Sequence, residues 1–356
     1  MVLKATENYI ISENNDFDLY KNVESKLVCG NPIKKLVTIV IPTYDRNNLL
    51  RESIKSALQQ NYEDFSVIVV SNNPNSTNNM KEIFTEFKDA RLSIYVNEKN
   101  IGLAGNWNRC YQLSQSEWVL QLHDDDYLEK DFLKNMMGTI SKKKKIDMLC
   151  TSREIVGIRK ESNKTNDCIR FLKKKFISIT GPIIFKLNAE DYLSILPGSI
   201  IGAVIRREKV IELGGFPEKY YPALDKYFLT KFCYAYEAYC VHFKRNLINY
   251  RRECNLSLKS DIKRILVLQN KELADFIIEV YHCGKTSKYI VMSNLVNQSI
   301  GLKKNSEVEY RKLLSELDGE EAKQVISNKK IRKFITLYSV LLIGFNKLKN
   351  KVVKSK

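Results

Sequence analysis

Three short segments concentrate the residues with which this chain of 356 could do chemistry. The densest is His123-Asp124-Asp125-Asp126. Three consecutive carboxylates repel one another, and a cation offsets that repulsion. Hard oxygen ligands suit magnesium or manganese, which bind one or two carboxylates together with phosphate oxygens. The same run also suits an acidic turn in which Asp126 or Glu129 favours the positive end of the next helix. The second segment is Pro42-Thr43-Tyr44-Asp45-Arg46. Proline ends a strand, Thr43 and Tyr44 offer hydrogen bonds and a stacking face, and Arg46 can neutralise a phosphate. An ordinary strand-to-helix turn would read the same way. The third is Asp225 within PALDKYF, at the start of an expected helix. A carboxylate there can act as a general base or simply cap the helix.

The elements that must position these residues follow from hydrophobic pattern. LVTIVI (36–41), FSVIVV (65–70), LSIYV (92–96) and WVLQL (118–122) are short apolar, β-branched runs, as expected of buried parallel strands. Leu49, Ile54, Ala57 and Leu58 fall at helical spacing, and NNPNSTNN (72–79) reads as a polar loop. Strands alternating with helices predict an open α/β sheet with right-handed crossovers. Ligands bind such sheets beyond the carboxyl ends of the strands. Pro42–Arg46, Ser71–Asn73 and His123–Asp126 all sit at those ends, so the topology predicts one shared rim. Further on, 152–180 is a polar, basic excursion and SIIGAVIRR (199–207) a strand entering a helix. GGFPEKYYPALD (214–225) is a loop leading into a helix, YCVHF and NLINY (239–243, 246–250) are short strands, and the pattern is helical from about 260.

Composition narrows the class. Hydrophobic residues are 44% and charged residues 28%, ordinary for a globular chain. No run of ~18 apolar residues predicts a membrane span, and the N-terminus lacks the order of a signal peptide. No C-x-x-C pair occurs among the eight cysteines, which read as buried free thiols rather than zinc ligands. Neither G-x-G-x-x-G nor a Walker lysine motif follows a strand, against a dehydrogenase or P-loop NTPase. The net charge of +17 calls for anionic partners.

Taken in order, VTIVIPTYDRNNLLRESIKSALQQNYEDFSVIVVSNN, NIGLAGNWNRC, WVLQLHDDDYLEKDFL and GGFPEKYYPALDKYF resemble glycosyltransferase family 2, inverting sugar-nucleotide transferases of GT-A fold. Bacterial O-antigen and capsule enzymes look most similar. The resemblance implies an α/β architecture: an open, mostly parallel Rossmann-like sheet flanked by helices, with a helical C-terminal extension. It divides the chain into a lead-in (1–35), a catalytic domain (36–255) and a helical region (256–356) with a basic tail (329–356). Within the domain, 36–126 would bind nucleotide and 127–255 the acceptor. Pro42, Thr43 and Tyr44 match the loop that meets the nucleoside. Asn72 stands where the family usually has an Asp that contacts uracil. Asn100, Gly102 and Asn106 match the rest of the nucleotide pocket.

His123-Asp124-Asp125 occupies the D-x-D motif, with Asp125 matching the metal-binding Asp, His123 beside it and Asp124 on the nucleotide side. Asp225 matches the catalytic base. The implied cofactor is Mn2+ or Mg2+, the donor a nucleotide-diphosphate sugar, most often of UDP, and the acceptor a lipid-linked saccharide. His123 replaces the first Asp of D-x-D, Ser71 and Asn72 replace an acidic pair, and Leu224 replaces a Glu before Asp225. Arg251-Arg252-Glu253 lies where many members have an Arg and then a His. His242 reads as structural.

The tail carries nine Lys or Arg and no acid between Lys329 and Lys356, around the uncharged run FITLYSVLLIGF. As a helix that run spans ~18 Å, too short to cross a ~30 Å hydrocarbon core. It suits an interfacial helix on anionic lipid, hence a cytoplasmic protein peripheral to the inner face of the plasma membrane. The alternative is a helix docked on the catalytic domain. Two other classes compete with a transferase. A nucleic-acid-binding protein would interleave basic residues with exposed aromatics, whereas the aromatics here fall inside apolar runs. A non-catalytic sugar-nucleotide or glycan-binding scaffold would not need both Asp125 and Asp225.

Overall fold

The computed structural model describes residues 15–143, 145–157, 181–193, 199–251, 258–280 and 285–317. It forms two compact units, Met1–Asn188 with Pro197–Cys254, and Ala189–Leu196 with Asn255–Lys356.

In chain order the first unit contains β1 (Ser25–Cys29), β2 (Val37–Thr43), α1 (Asn47–Leu58), β3 (Phe65–Ser71), α2 (Thr77–Phe87), β4 (Leu92–Asn97) and α3 (Gly102–Leu113). There follow β5 (Trp118–Gln121), β6 (Tyr127–Leu128), α4 (Phe132–Ile140), β7 (Met148–Thr151), β8 (Glu154–Val156), β9 (Ile183–Lys186) and β10 (Val204–Arg206). The unit closes with α5 (Arg207–Glu212), α6 (Leu224–Ala235), β11 (Ala238–His242) and β12 (Ile248–Arg251). Nine strands form one sheet in the order β1-β4-β3-β2-β5-β10-β7-β11-β9, and β6-β12-β8 form a second.

The four runs read as parallel strands are parallel neighbours, β4-β3-β2-β5. Every residue of β2, β3, β4 and β5 is buried, which is why they lack the polar alternation of a half-exposed strand. The second half of the sheet is mixed: β10 runs antiparallel to both β5 and β7, β11 parallel to β7, and β9 antiparallel to β11. From the lead-in, β1 adds an antiparallel edge strand to β4.

Some local expectations shift. Leu50, Ser53, Ile54 and Ala57 form the buried stripe of α1, and Leu49 and Leu58 are only half-buried. The 72–79 segment is loop only to Ser76, because α2 begins at Thr77. Within 199–207 the strand is limited to Val204–Arg206. A turn precedes it, with the Ala203 amide donating to the Ile200 carbonyl. Gly202 there has φ +79, and a Cβ would meet Ile248 Cδ1 at 1.7 Å, so only glycine fits.

The second unit contains α7 (Ser260–Val280), α8 (Lys285–Asn305) and α9 (Glu307–Glu316). Val267, Leu295, Val296, Leu302, Tyr310, Leu313 and Leu317 form its core. Ser306 caps α9 by accepting from the Glu309 amide, and Arg264 pairs with Glu309 and Glu316. Among the described residues no helix is long and apolar enough to cross a membrane. The basic tail lies outside the described residues, as do Cys168, Cys254 and Cys283. The other five cysteines are free thiols, and all but Cys29 are buried.

Candidate active site

The three polar clusters meet at the carboxyl ends of β2, β3 and β5. The Leu122 amide donates to the Val40 carbonyl, so even-numbered positions of β2 face β5. Pairing of β2 with β5 ends at Val40 and Gln121. Pro42 therefore points its missing N–H past the end of β5, where no ladder bond is lost. On the other side the Asn72 amide donates to the Thr43 carbonyl. Thr43 Oγ1 then donates to Asp124 Oδ2 at 2.7 Å, and the Tyr44 amide approaches the same oxygen at 3.4 Å. Tyr44 itself is 51% exposed, an open aromatic face at the rim.

The acid cluster is buried: Asp124, Asp125 and Asp126 are 7%, 2% and 0% exposed. Arg46 Nη1 lies 2.5 Å from Asp125 Oδ2 and 3.4 Å from Asp124 Oδ1. Asp126 Oδ1 accepts from the Arg251 amide at 2.9 Å, which ties the cluster to β12. Its Oδ2 is buried without a hydrogen-bond partner among the described residues. Burial lifts the Asp126 carboxyl to about 8, with the charge of Asp125 adding to the rise. Burial also lifts Asp124 to about 6, although the Thr43 bond and Arg46 oppose it. His123 is pushed the other way, to about 4, chiefly by burial. A neutral imidazole is a competent metal ligand. One ligand atom from each of His123, Asp125 and Asp126 lies within 4.8 Å of the others. The orphaned Asp126 oxygen, the neutral histidine and a second carboxylate fit a divalent cation. Asp126 thus joins His123 and Asp125, while Asp124 is held apart by Thr43. The helix-capping reading of Asp126 and Glu129 does not hold: Asp126 bonds the β12 backbone, and Glu129 Oε1 accepts from Asn249.

Helix α1 holds the acid loop from below. Ser53 Oγ donates to the Asp126 carbonyl at 2.6 Å, Ser56 Oγ accepts from the Leu128 amide, and Gln60 bonds both the Glu129 carbonyl and the Leu133 amide. Spaced at 53, 56 and 60, these residues form one polar stripe of a helix.

The expected nucleotide-pocket residues fall into two groups. Asn72 and Asn106 are buried, and both the nitrogen and the oxygen of each side-chain amide are hydrogen-bonded. Asn72 Nδ2 donates to Asn100 Oδ1 and the Gly102 carbonyl, and its Oδ1 accepts from Asn97 Nδ2 and the Ile101 amide. Asn106 Nδ2 donates to the Val70 carbonyl and its Oδ1 accepts from Asn97. Backbone partners on both sides settle which end of the Asn72 amide is oxygen, and the Val70 carbonyl marks the nitrogen of Asn106. This frame joins the ends of β3 and β4 to the start of α3. Asn100 is exposed and half-exposed Gly102 has φ +71, so these two line the surface that the frame supports.

Asp225 is the second residue of α6, whose N-cap is Ala223 without a side-chain bond. Its Oδ1 accepts from the Lys226 amide at 2.8 Å. Burial raises its carboxyl above the ordinary range, with Arg153 and Lys226 opposing. Lys226 is lowered to about 8 by burial. An aromatic ladder runs from His123 to Trp107 (5.0 Å), Phe216 (5.3 Å) and Phe228 (4.2 Å), joining the acid loop to α6. Asn108 clamps Phe216 through both its amide N–H and its carbonyl.

Arg153 is a site residue that sequence reading missed. It lies between β7 and β8, donates to Ser199 Oγ at 2.9 Å and stacks on Tyr250, 4.2 Å from the ring centroid. Its charge acts on His123, Asp126, Asp225 and Tyr250 together. Nothing in the segment around it signals this; a lone arginine before a short strand carries no motif. His242 lies on β11 against Phe185 and outside the cluster.

Comparisons with known proteins bear on the family and the fold. The sequence model of Glycosyl transferase family 2 matches residues 38–214, just under half of the chain. The chain is 31% identical over 123 residues to an uncharacterised glycosyltransferase of Methanocaldococcus jannaschii, covering 34% of this chain and 42% of that protein. It is 31% identical over 91 residues to the putative colanic acid biosynthesis glycosyl transferase WcaA of Escherichia coli, covering 26% and 33%. To the E. coli UDP-Glc:alpha-D-GlcNAc-diphosphoundecaprenol beta-1,3-glucosyltransferase WfgD it is 30% identical over 91 residues, covering 26% and 35%. The matches thus span less than half the length of each of these relatives. The structure of S. aureus TarS 1–349 in complex with UDP-GlcNAc superposes with a TM-score of 0.53 at 15% identity, covering 85% of this chain and 88% of that one. That likeness is one of fold, and the fold is GT-A.

Proposed function

The chain belongs to glycosyltransferase family 2 through residues 38–214, and from that membership we propose that it is an inverting transferase. It moves a sugar from a nucleotide-diphosphate donor, most simply of UDP, to a hydroxyl of a lipid-linked saccharide. The product would be a repeat of a surface polysaccharide such as O-antigen or capsule. The observation that carries this reading is the buried acid cluster at the rim, with one carboxylate oxygen left unsatisfied, linked by the aromatic ladder to the helix bearing Asp225. The diphosphoundecaprenol in the name of the E. coli relative supports a lipid-linked acceptor.

His123, Asp125 and Asp126 would hold Mn2+ or Mg2+, which when bound neutralises charge on the leaving diphosphate. Thr43 keeps Asp124 oriented at the nucleotide side, Tyr44 offers a stacking face to the base, and Asn100 and Gly102 form the pocket wall over the Asn72–Asn106 frame. Asp225 takes the proton of the acceptor hydroxyl as that oxygen bonds to the anomeric carbon. The carbon–oxygen bond to the phosphate breaks, its electron pair leaving with the nucleoside diphosphate. Attack from the face opposite the leaving group inverts the centre.

The test is a thermal-shift panel of nucleoside diphosphates with and without manganese, since a bound ligand stabilises by RT ln(1 + [L]/Kd). A manganese-dependent rise with UDP that is lost in Asp125→Ala is the expected result. No shift with any nucleotide would overturn the donor assignment.

A further inference from the structure

Arg46 and the expected cation compete for the same carboxylate. Arg46 Nη1 sits 2.5 Å from Asp125 Oδ2 and 3.4 Å from Asp124 Oδ1. Asp125 is also a member of the His123–Asp125–Asp126 group. A guanidinium and a divalent ion on one buried carboxylate repel strongly, even at an effective dielectric of ~20. The backbone beneath Arg46 is pinned: the Leu50 amide donates to its carbonyl, and Asn73 Nδ2 holds Asp45, whose φ is +56. The arginine side chain is half-buried at the mouth of the cluster. It can therefore leave Asp125 by rotation alone, without loop movement.

We propose that Arg46 is an exchangeable counter-cation: it neutralises Asp125 in the nucleotide-free protein and moves to the donor's diphosphate when the divalent ion takes the carboxylate. The inference rests on the cation site proposed above. The diphosphate supplies the negative charge that separates the two cations, so metal and nucleotide bind with positive coupling. By linkage, each raises the affinity of the other by the same factor. Arg46 is a donor-binding residue in this scheme, and its effect is read in binding.

The experiment measures Mn2+ binding to the full chain by loss of the free-ion electron paramagnetic resonance signal, with and without UDP. Wild type, Arg46→Gln, Arg46→Lys and Asp125→Ala are compared, with circular dichroism to establish that each is folded. Arg46→Gln is expected to bind Mn2+ alone about tenfold or more tightly than wild type. In the same variant the enhancement by UDP shrinks, and Arg46→Lys keeps most of the wild-type coupling. Equal or weaker Mn2+ affinity in Arg46→Gln, with Asp125→Ala abolishing binding, overturns the exchange and leaves the cation site standing. Mn2+ binding unchanged in Asp125→Ala overturns the cation site and the exchange with it.

Discussion

At the scale of single residues, burial decides what each group can do. The Asp225 carboxyl is raised by burial, so it loses its negative charge at a higher pH than an ordinary carboxylate. As the proposed base it would work only when ionised. Its contribution to kcat/KM therefore falls as pH drops through that raised value, and the acid limb of the rate profile lies above the usual carboxylate range. Asp225→Asn is expected to lower kcat by ~10²–10⁴-fold, the ordinary worth of a positioned base. Near-normal turnover in that variant would sink the assignment. Arg153 faces the same carboxylate and opposes its rise, as does Lys226. Replacing Arg153 with Gln should move the acid limb to higher pH, and Arg153→Lys should restore it in part. A profile unmoved by either change would confine Arg153 to its contacts with Ser199 and Tyr250.

At the scale of elements, the site is held by polar residues that carry no catalytic signature. The stripe Ser53, Ser56 and Gln60 of α1 fastens the acid loop, and Asn72, Asn97 and Asn106 fasten β3 and β4 to α3. Asn72→Ala would leave buried partners unsatisfied, at a cost of about 1–3 kcal/mol, read as a lower denaturation midpoint. Asn72→Asp would not recreate the acidic residue usual at this position. Its second oxygen would face the Gly102 carbonyl and Asn100 Oδ1, to which the amide now donates. That variant is expected to lose stability and gain no UDP affinity; tighter UDP binding would contradict the frame. The four strands and their parallel direction were legible because buried strands read as apolar runs, whereas their order in the sheet came from the structure. The frame was not, because asparagines in loops look alike whether they bind a ligand or the chain.

At the scale of the whole molecule, charge is the informative quantity. About half of the excess of +17 falls in 329–356, and polybasic segments contribute ~1 kcal/mol per Lys or Arg at an anionic surface. Deleting 329–356 should abolish sedimentation with phosphatidylglycerol vesicles and leave UDP binding intact. A truncated chain that still sediments would overturn the tail as a membrane-binding segment. The sequence by itself determined the α/β class, the four parallel strands, the rim on which the polar clusters meet, and the candidacy of Asp125 and Asp225. Strand order and residue type carry those, since parallel crossovers bring the carboxyl ends of strands to one edge. Only the tertiary structure decided that Asp126 lies buried beside His123 and Asp125, that Arg46 pairs with Asp125, and that the charge of Arg153 acts on both Asp126 and Asp225. Those facts depend on pairs far apart in the chain, 79 positions for Arg46 and Asp125 and 125 for Asp126 and Arg251, where burial and long-range pairing, not local pattern, set each side chain's partner.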